Sequence, residues 1–120
     1  NNGGGCSGLG FLYKSGKGVK QDLKKATQSY SKACDLNNGG GCSGLGFLYK
    51  SGKGVKQDLK KATQSYSKAC DLNNGGGCGN LGVLYQKGEV VEKDLTKADQ
   101  YISKACKLGD QEACEVLKEK

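Results

Sequence analysis

The sequence contains no histidine, arginine, proline, methionine or tryptophan. Without histidine there is no Ser-His-Asp or Cys-His nucleophile pair and no histidine-ligated metal site. Without arginine no side chain can grip guanine or phosphate with two parallel hydrogen bonds, which argues against sequence-specific recognition of nucleic acid. The sequence also lacks an apolar run of about 18 residues, so we expect no membrane span. We therefore expect no catalytic role, no metal and no cofactor.

An internal repeat organises the chain. Residues 1–36 and 37–72 are identical, and residues 73–108 match them at 22 of 36 positions. Residues 109–120 restart the pattern and stop after the length of one helix. The sequence therefore predicts a single solenoid domain, residues 1–120, with three units and a C-terminal capping helix. Two identical copies indicate an engineered or idealised repeat protein, or alternatively a very recent duplication.

Each unit has the apolar spacing of two helices, and no stretch alternates long enough to predict a strand. In unit one, helix A is predicted at about residues 5–15, and helix B at residues 23–35 after Asp22 as N-cap. The glycine-rich run before each helix A, residues 2–5 in unit one, is interpreted as a turn with positive φ angles. Gly10 lies inside helix A at a cost of about 1 kcal/mol, so we expect a neighbouring helix to approach closely there. Stacked helical pairs bury both faces, which predicts an all-α solenoid of seven helices.

Four short motifs recur at the 36-residue period in units one and two: L-G-x-x-Y, G-x-G-V, D-x-x-K-A and Y-x-x-A-C. With the junction A-C-D-L-N-x-G-x-G-C, they resemble the Sel1-like repeat of the Helicobacter cysteine-rich protein family, a relative of the tetratricopeptide repeat. Unit three departs from the pattern at Glu89-Val90, and the chain begins at helix A without an N-terminal capping unit. The resemblance implies a right-handed superhelix of helical pairs, export to the periplasm or medium, one disulfide per repeat and protein interaction. For some members it also implies binding or slow hydrolysis of penicillin-type substrates.

The seven cysteines alternate in separation between 28 and 8 residues, and two regular pairings fit this spacing. Helix geometry allows both pairings, and loop-closure entropy, about 2.6 kcal/mol for a short loop and about 3.6 kcal/mol for a long one, does not decide between them. The short pairing joins Cys34–Cys42, Cys70–Cys78 and Cys106–Cys114 and leaves Cys6 as a free thiol. The long pairing joins Cys6–Cys34, Cys42–Cys70 and Cys78–Cys106 and leaves Cys114 free.

The capping helix favours the short pairing, because its Cys114 then has Cys106 as a partner. Cys6 remains unpaired if its partner belongs to a further unit upstream, and it is expected to link two monomers slowly in air. The family resemblance points to the same pairing. Cysteine-rich composition predicts a secreted or periplasmic parent whose signal peptide has been removed. The alternatives are buried free thiols in a cytosolic repeat protein and, less favoured without C-x-x-C spacing, a zinc site.

Two motifs superficially suggest a penicillin-binding protein or a weak β-lactamase. Ser29–Lys32 and Ser65–Lys68 fit the S-x-x-K box, and Lys14–Gly16 and Lys50–Gly52 resemble the K-[TS]-G box. However, S-x-x-K is predicted in the middle of a helix, K-S-G ends a helix, no S-D-N is present, and Tyr101 replaces the serine in unit three. We therefore assign no catalytic residue from these motifs.

Charge decreases along the chain, from +4 in each of units one and two to +1 in unit three and −2 in the cap. The basic half either attracts acidic proteins or is a solvated outer surface.

In tetratricopeptide-like stacks, helix-A residues outside the packing stripe line a concave groove, so the resemblance implies binding of a protein or an extended, acidic peptide there. Phe11 and Phe47 either lie exposed in this groove or complete the packing between helices. An engineered repeat protein without a biological ligand is the remaining alternative. The predicted groove residues are Ser7, Phe11, Lys14, Ser15, Ser43, Phe47, Lys50, Ser51, Asn80, Val83, Gln86 and Lys87.

Overall fold

A computed structural model describes residues 10–11, 14–16, 22–88 and 92–118. Across these residues six helices are bounded and no strand occurs. Gly10, Phe11, Lys14 and Ser15 are also helical, and the rest of the predicted helix A of unit one lies outside the described residues. The all-α prediction is confirmed, with six bounded helices against the seven predicted. The helices are α1 (Leu23–Asp35), α2 (Gly39–Ser51), α3 (Leu59–Asp71), α4 (Gly75–Lys87), α5 (Leu95–Lys107) and α6 (Gln111–Lys118).

Each helix packs against the next one along the chain, and α2 also contacts α4. The helices A of units two and three therefore touch, as expected when successive helical pairs stack into a solenoid. This arrangement confirms the predicted helical solenoid. Because α2 and α4 are the helices A of consecutive units, their exposed residues form one continuous surface.

An aspartate begins each helix B. The side chain of Asp22 accepts a 3.0 Å hydrogen bond from the backbone N–H of Lys25, and Asp58 and Asp94 make the same bond in the next two units. Such a bond satisfies one of the N–H groups that the first helical turn leaves without a partner. Helix α1 therefore begins at Leu23 and ends at Asp35, as predicted.

The interpretation of the glycine-rich runs as turns is wrong where the structure describes them. Helix α2 begins at Gly39, so the glycines belong to the helix, and the residue with positive φ is Asn37 at 62°. Asn38 then caps the helix by accepting a 2.8 Å hydrogen bond from the Gly41 N–H. A Cβ atom on Gly41 would overlap the Ala33 side chain. Gly41, the third glycine of the run, is therefore needed for close packing of α2 against α1. The run in unit one, residues 2–5, lies outside the described residues.

The glycine in the middle of each helix A faces a large side chain of helix B. A Cβ atom on Gly46 would lie 2.9 Å from the Tyr66 ring, and one on Gly10 would lie 3.0 Å from the Tyr30 ring. Close approach of a neighbouring helix therefore accounts for these glycines, as predicted. Burial of the Tyr66 phenol raises its pKa to about 12, because the phenolate would lose its hydration.

Three disulfides join the end of each helix B to the start of the following helix. They have the connectivity of the short pairing, with Cα–Cα distances of 4.5, 4.5 and 4.7 Å. The first two bridges are buried, whereas both cysteines of the third are half-buried. Cys6 lies outside the described residues. The bridges are Cys34–Cys42, Cys70–Cys78 and Cys106–Cys114.

Candidate binding face

The clearest surface feature is a group of lysines around an exposed aromatic ring. The Lys14 ammonium lies 4.8 Å from the centre of the Phe47 ring and 5.9 Å from that of Phe11. The Lys53 ammonium lies 5.9 Å from the Phe47 ring on a segment that follows α2. Phe11 and Phe47 are 48% and 41% exposed, so both rings lie at the surface. A cation over an aromatic face is attracted by the ring quadrupole, which holds these lysines near the rings.

Helical periodicity explains how this group forms. Phe11 and Lys14 are three residues apart on a helix, so their side chains project from the same side. The repeat then places Phe47 one unit further along the stack, within reach of Lys14. Lys14, Phe47 and Lys53, together with Leu23, line a cleft of about 390 Å³. We call these four residues the basic-aromatic cleft.

The remaining predicted groove residues of units one and two contribute less to this surface. The Ser51 hydroxyl donates a 3.3 Å hydrogen bond to the Leu48 carbonyl of its own helix. The Lys50 side chain is half-buried, and its backbone carbonyl accepts a 2.8 Å hydrogen bond from the Gln57 amide. Ser43 is half-buried, Ser15 is exposed, and Ser7 lies outside the described residues.

In unit three the same face contains a cavity of about 140 Å³. Asn80, Val83 and Gln86 line it from α4, whereas Lys87 is exposed and does not. The Asn80 amide donates a 2.9 Å hydrogen bond to the Gly76 carbonyl. We call this space the cap cavity, because the capping segment closes it. The lining residues that sequence reasoning missed are Gly76, Gly79, Ile102, Asp110, Glu112, Ala113 and Val116.

The serine and lysine motifs of the enzyme hypothesis do not assemble into a site. Ser65 lies in the middle of α3 with only 9% of its surface exposed, and Ser29 is half-buried in α1. The second K-S-G sequence ends α2 at Gly52, which has a φ of 74°. The described part of the chain offers no strand to carry that box beside a serine.

The described residues contain neither a metal-binding cluster nor a membrane-spanning helix. No group of three or more cysteine or carboxylate side chains is placed to hold a metal ion. None of the bounded helices is long and apolar enough to cross a membrane.

Comparisons with known proteins agree with the repeat architecture. The family model of the Sel1 repeat matches residues 5–38, 41–74 and 77–110. A Sel1 repeat protein from Oxalobacter formigenes superposes with a TM-score of 0.90 at 34% identity, covering 94% of this chain and 46% of its own. For c5321, a protective antigen of uropathogenic Escherichia coli with an SLR fold, the TM-score is 0.89 at 30% identity, with 96% of this chain and 25% of c5321 covered.

Cysteine-rich protein B from Helicobacter pylori superposes with a TM-score of 0.81 at 43% identity, covering 95% of this chain and 87% of that protein. The chain thus spans most of the Helicobacter protein, about half of the Oxalobacter protein and a quarter of the Escherichia coli antigen. No curated protein matches the sequence. Because the repeat model matches three consecutive segments that together make up most of the sequence, the chain belongs to the Sel1 repeat family.

Proposed function

We propose that the protein is a non-catalytic scaffold that binds another protein, or an extended peptide, along its helix-A face. By helix-A face we mean the predicted groove residues together with the basic-aromatic cleft. The observation that carries the proposal is the position of the Lys14 ammonium, 4.8 Å from the Phe47 ring of the next unit. This contact makes one exposed surface from two repeats, and an extended ligand can follow such a surface from unit to unit.

The chemistry of the helix-A face favours a ligand with both apolar and acidic groups. Two half-exposed phenylalanine rings offer apolar area that water solvates poorly. Lys14 and Lys53 place positive charge at the Phe47 ring, in the half of the chain with the largest positive charge. An acidic side chain beside an apolar one would meet both features. Affinity would then come from several weak contacts repeated along the stack.

A non-catalytic role is supported by the surroundings of the serines. Ser65 lies in the middle of α3 with only 9% of its surface exposed. A nucleophilic serine needs an adjacent base and access to substrate. Slow hydrolysis of penicillin-type compounds is the family-based alternative. The test is hydrolysis of a chromogenic cephalosporin. If the activity persisted through purification and were lost in S65A, that activity would replace our proposal.

We propose that the protein acts in an oxidising compartment, the periplasm or the medium. Its three intramolecular disulfides support this location, because reducing compartments keep such thiols free. The 43% identity to a Helicobacter cysteine-rich protein supports it as well. A monomer is the expected state, with Cys6 able to link two copies.

The proposal predicts that a ligand peptide depends on Phe47. A peptide selected from a display library of extended, acidic and aromatic sequences should bind the F47A variant about tenfold more weakly than the unaltered protein. The substitution removes apolar contact area and the ring that positions Lys14. Isothermal titration calorimetry of the selected peptide against both proteins measures this difference.

The matched control is L95A. Leu95 is 57% exposed at the start of α5 and does not belong to the helix-A face. Its truncation should leave the affinity unchanged within about twofold. Equal losses in F47A and L95A would show that binding does not use the helix-A face. If repeated selections gave no peptide at all, the result would favour an engineered repeat protein without a biological ligand, which the two identical units also fit.

A further inference from the structure

The cap cavity differs in character from the basic-aromatic cleft. It lies between α4, α5 and α6 and has a volume of about 140 Å³. A cavity of about 150 Å³ is large enough to hold a benzene molecule, so this space admits one small apolar group. Its walls include the aliphatic side chains of Val83, Ile102, Ala113 and Val116. The cavity is therefore suited to a slender hydrocarbon chain.

Among the described residues, those with charge that line the cavity are acidic. Asp110 and Glu112 contribute carboxylates, and none of the described lysines lines the space. Asp110 caps α6 by accepting a 3.2 Å hydrogen bond from the Ala113 N–H through one oxygen, while its other oxygen lies next to Gly79. Glu112 is exposed on the first turn of α6. The carboxylates of Asp110 and Glu112 therefore favour a group with positive charge at this cavity.

Two replacements in unit three explain why the cap cavity differs from the basic-aromatic cleft. Val83 stands where units one and two have Phe11 and Phe47, and Gln86 stands where they have Lys14 and Lys50. The smaller side chain leaves space where the other units carry a ring, and the neutral amide removes a cation. The capping segment then supplies carboxylates to the same space. The helix-A face therefore changes from basic and aromatic to aliphatic and acidic along the stack.

We propose that the cap cavity binds a lysine side chain of the protein segment that lies along the helix-A face. The four methylene groups of lysine match the aliphatic walls, and its ammonium group is complementary to Asp110 and Glu112. This inference rests on the proposed function, because the cavity lies on the same face. It also sets the direction of the ligand: its acidic groups lie at units one and two, and its lysine lies at unit three.

The test uses single amino-acid probes, so it does not need the natural ligand. Nα-acetyl-lysine N-methylamide is titrated into the full-length protein and methyl resonances are followed by NMR. We expect saturable shifts at Val83, Ile102 and Val116 with a dissociation constant in the millimolar range. The norleucine analogue, which lacks the ammonium group, should bind at least fivefold more weakly, and the glutamate analogue should give no saturable shift.

Two variants make the test specific. V83F introduces the residue that units one and two have at this position, so it should fold and should abolish the shifts by filling the cavity. E112K changes an exposed residue and should remove the preference for lysine over norleucine. Equal binding of lysine and norleucine by the unaltered protein, shifts that persist in V83F, or no shift up to the solubility limit would each overturn the inference. The peptide experiment with F47A is independent of these results, so failure at the cap cavity leaves the proposed function intact.

Discussion

Reduction of the three disulfides is expected to unfold the protein at 37 °C. Each bridge joins cysteines separated by 8 residues, and closing such a loop destabilises the unfolded chain by about 2.6 kcal/mol. The three together contribute roughly 8 kcal/mol, which is of the order of the whole stability of a small domain. In the described part of the chain, the largest fully buried side chains besides cysteines are one tyrosine and two leucines, a core too small to compensate for this loss.

Thermal unfolding followed by far-ultraviolet circular dichroism measures the effect. Protein reduced and alkylated at every cysteine should melt at least 25 °C below the oxidised protein, if about 3–5 °C is lost for each kcal/mol. Oxidised protein treated with the alkylating reagent alone is the control, and its melting temperature should not change. If the reduced protein had the same melting temperature as the oxidised protein, packing alone would be shown to hold the stack.

Replacement of Gly77 by alanine is the second change with a large expected effect. A Cβ atom at this position would lie 2.5 Å from the Ala69 Cβ and 3.1 Å from the Cys70 backbone nitrogen, both on α3. The two helices are also joined by Cys70–Cys78, so they cannot move apart freely. We expect G77A to lower the free energy of unfolding by about 3 kcal/mol, as overpacking of a rigid contact does. Chemical denaturation of the oxidised protein measures this change.

The adjacent glycine provides a matched control. A Cβ atom on Gly76 would approach nothing closer than 3.3 Å, the side-chain oxygen of Asn74. In G76A the higher helix propensity of alanine should therefore leave stability unchanged or raise it by up to about 1 kcal/mol. Both substitutions lie in the first turn of α4 and differ by one position. If the two variants were equally stable, close helix contact would not be the reason for glycine at position 77.

The parts of the fold that local sequence determines could be predicted. Asp22 has the chemistry of an N-cap, and the apolar stripe that follows it has helical spacing, so the bounds of α1 follow from adjacent residues. The start of helix A could not be predicted in this way. Three consecutive glycines have low helix propensity, and only contact with Ala33 across the helix pair explains why Gly41 lies inside a helix. The positive φ angle lies at Asn37, which no local preference distinguished from the neighbouring asparagine.

In the candidate site, too, the features set by local sequence could be predicted and those set by distant contacts could not. Helical spacing and the repeat period bring Phe11, Lys14 and Phe47 together, and the resemblance to tetratricopeptide-like stacks predicted them on one face. The cap cavity is lined by α4, α5 and the capping segment that packs against α5, so it depends on contacts between residues that are not neighbours in sequence. In the sequence, the net negative charge of residues 109–120 was the signal that could have pointed to Asp110 and Glu112 as site residues. Charge alone could not show that these residues face Val83.

The measurement that tests the account most directly is the number and position of free thiols. The helix-A face depends on disulfides that connect each helix B to the next helix and so hold the face in shape. Oxidised protein is unfolded in denaturant without reductant, alkylated, weighed intact and mapped after proteolysis. We predict a single adduct, at Cys6. An adduct at Cys114 would contradict the pairing described above, and seven adducts would show that the stack has no disulfides at all.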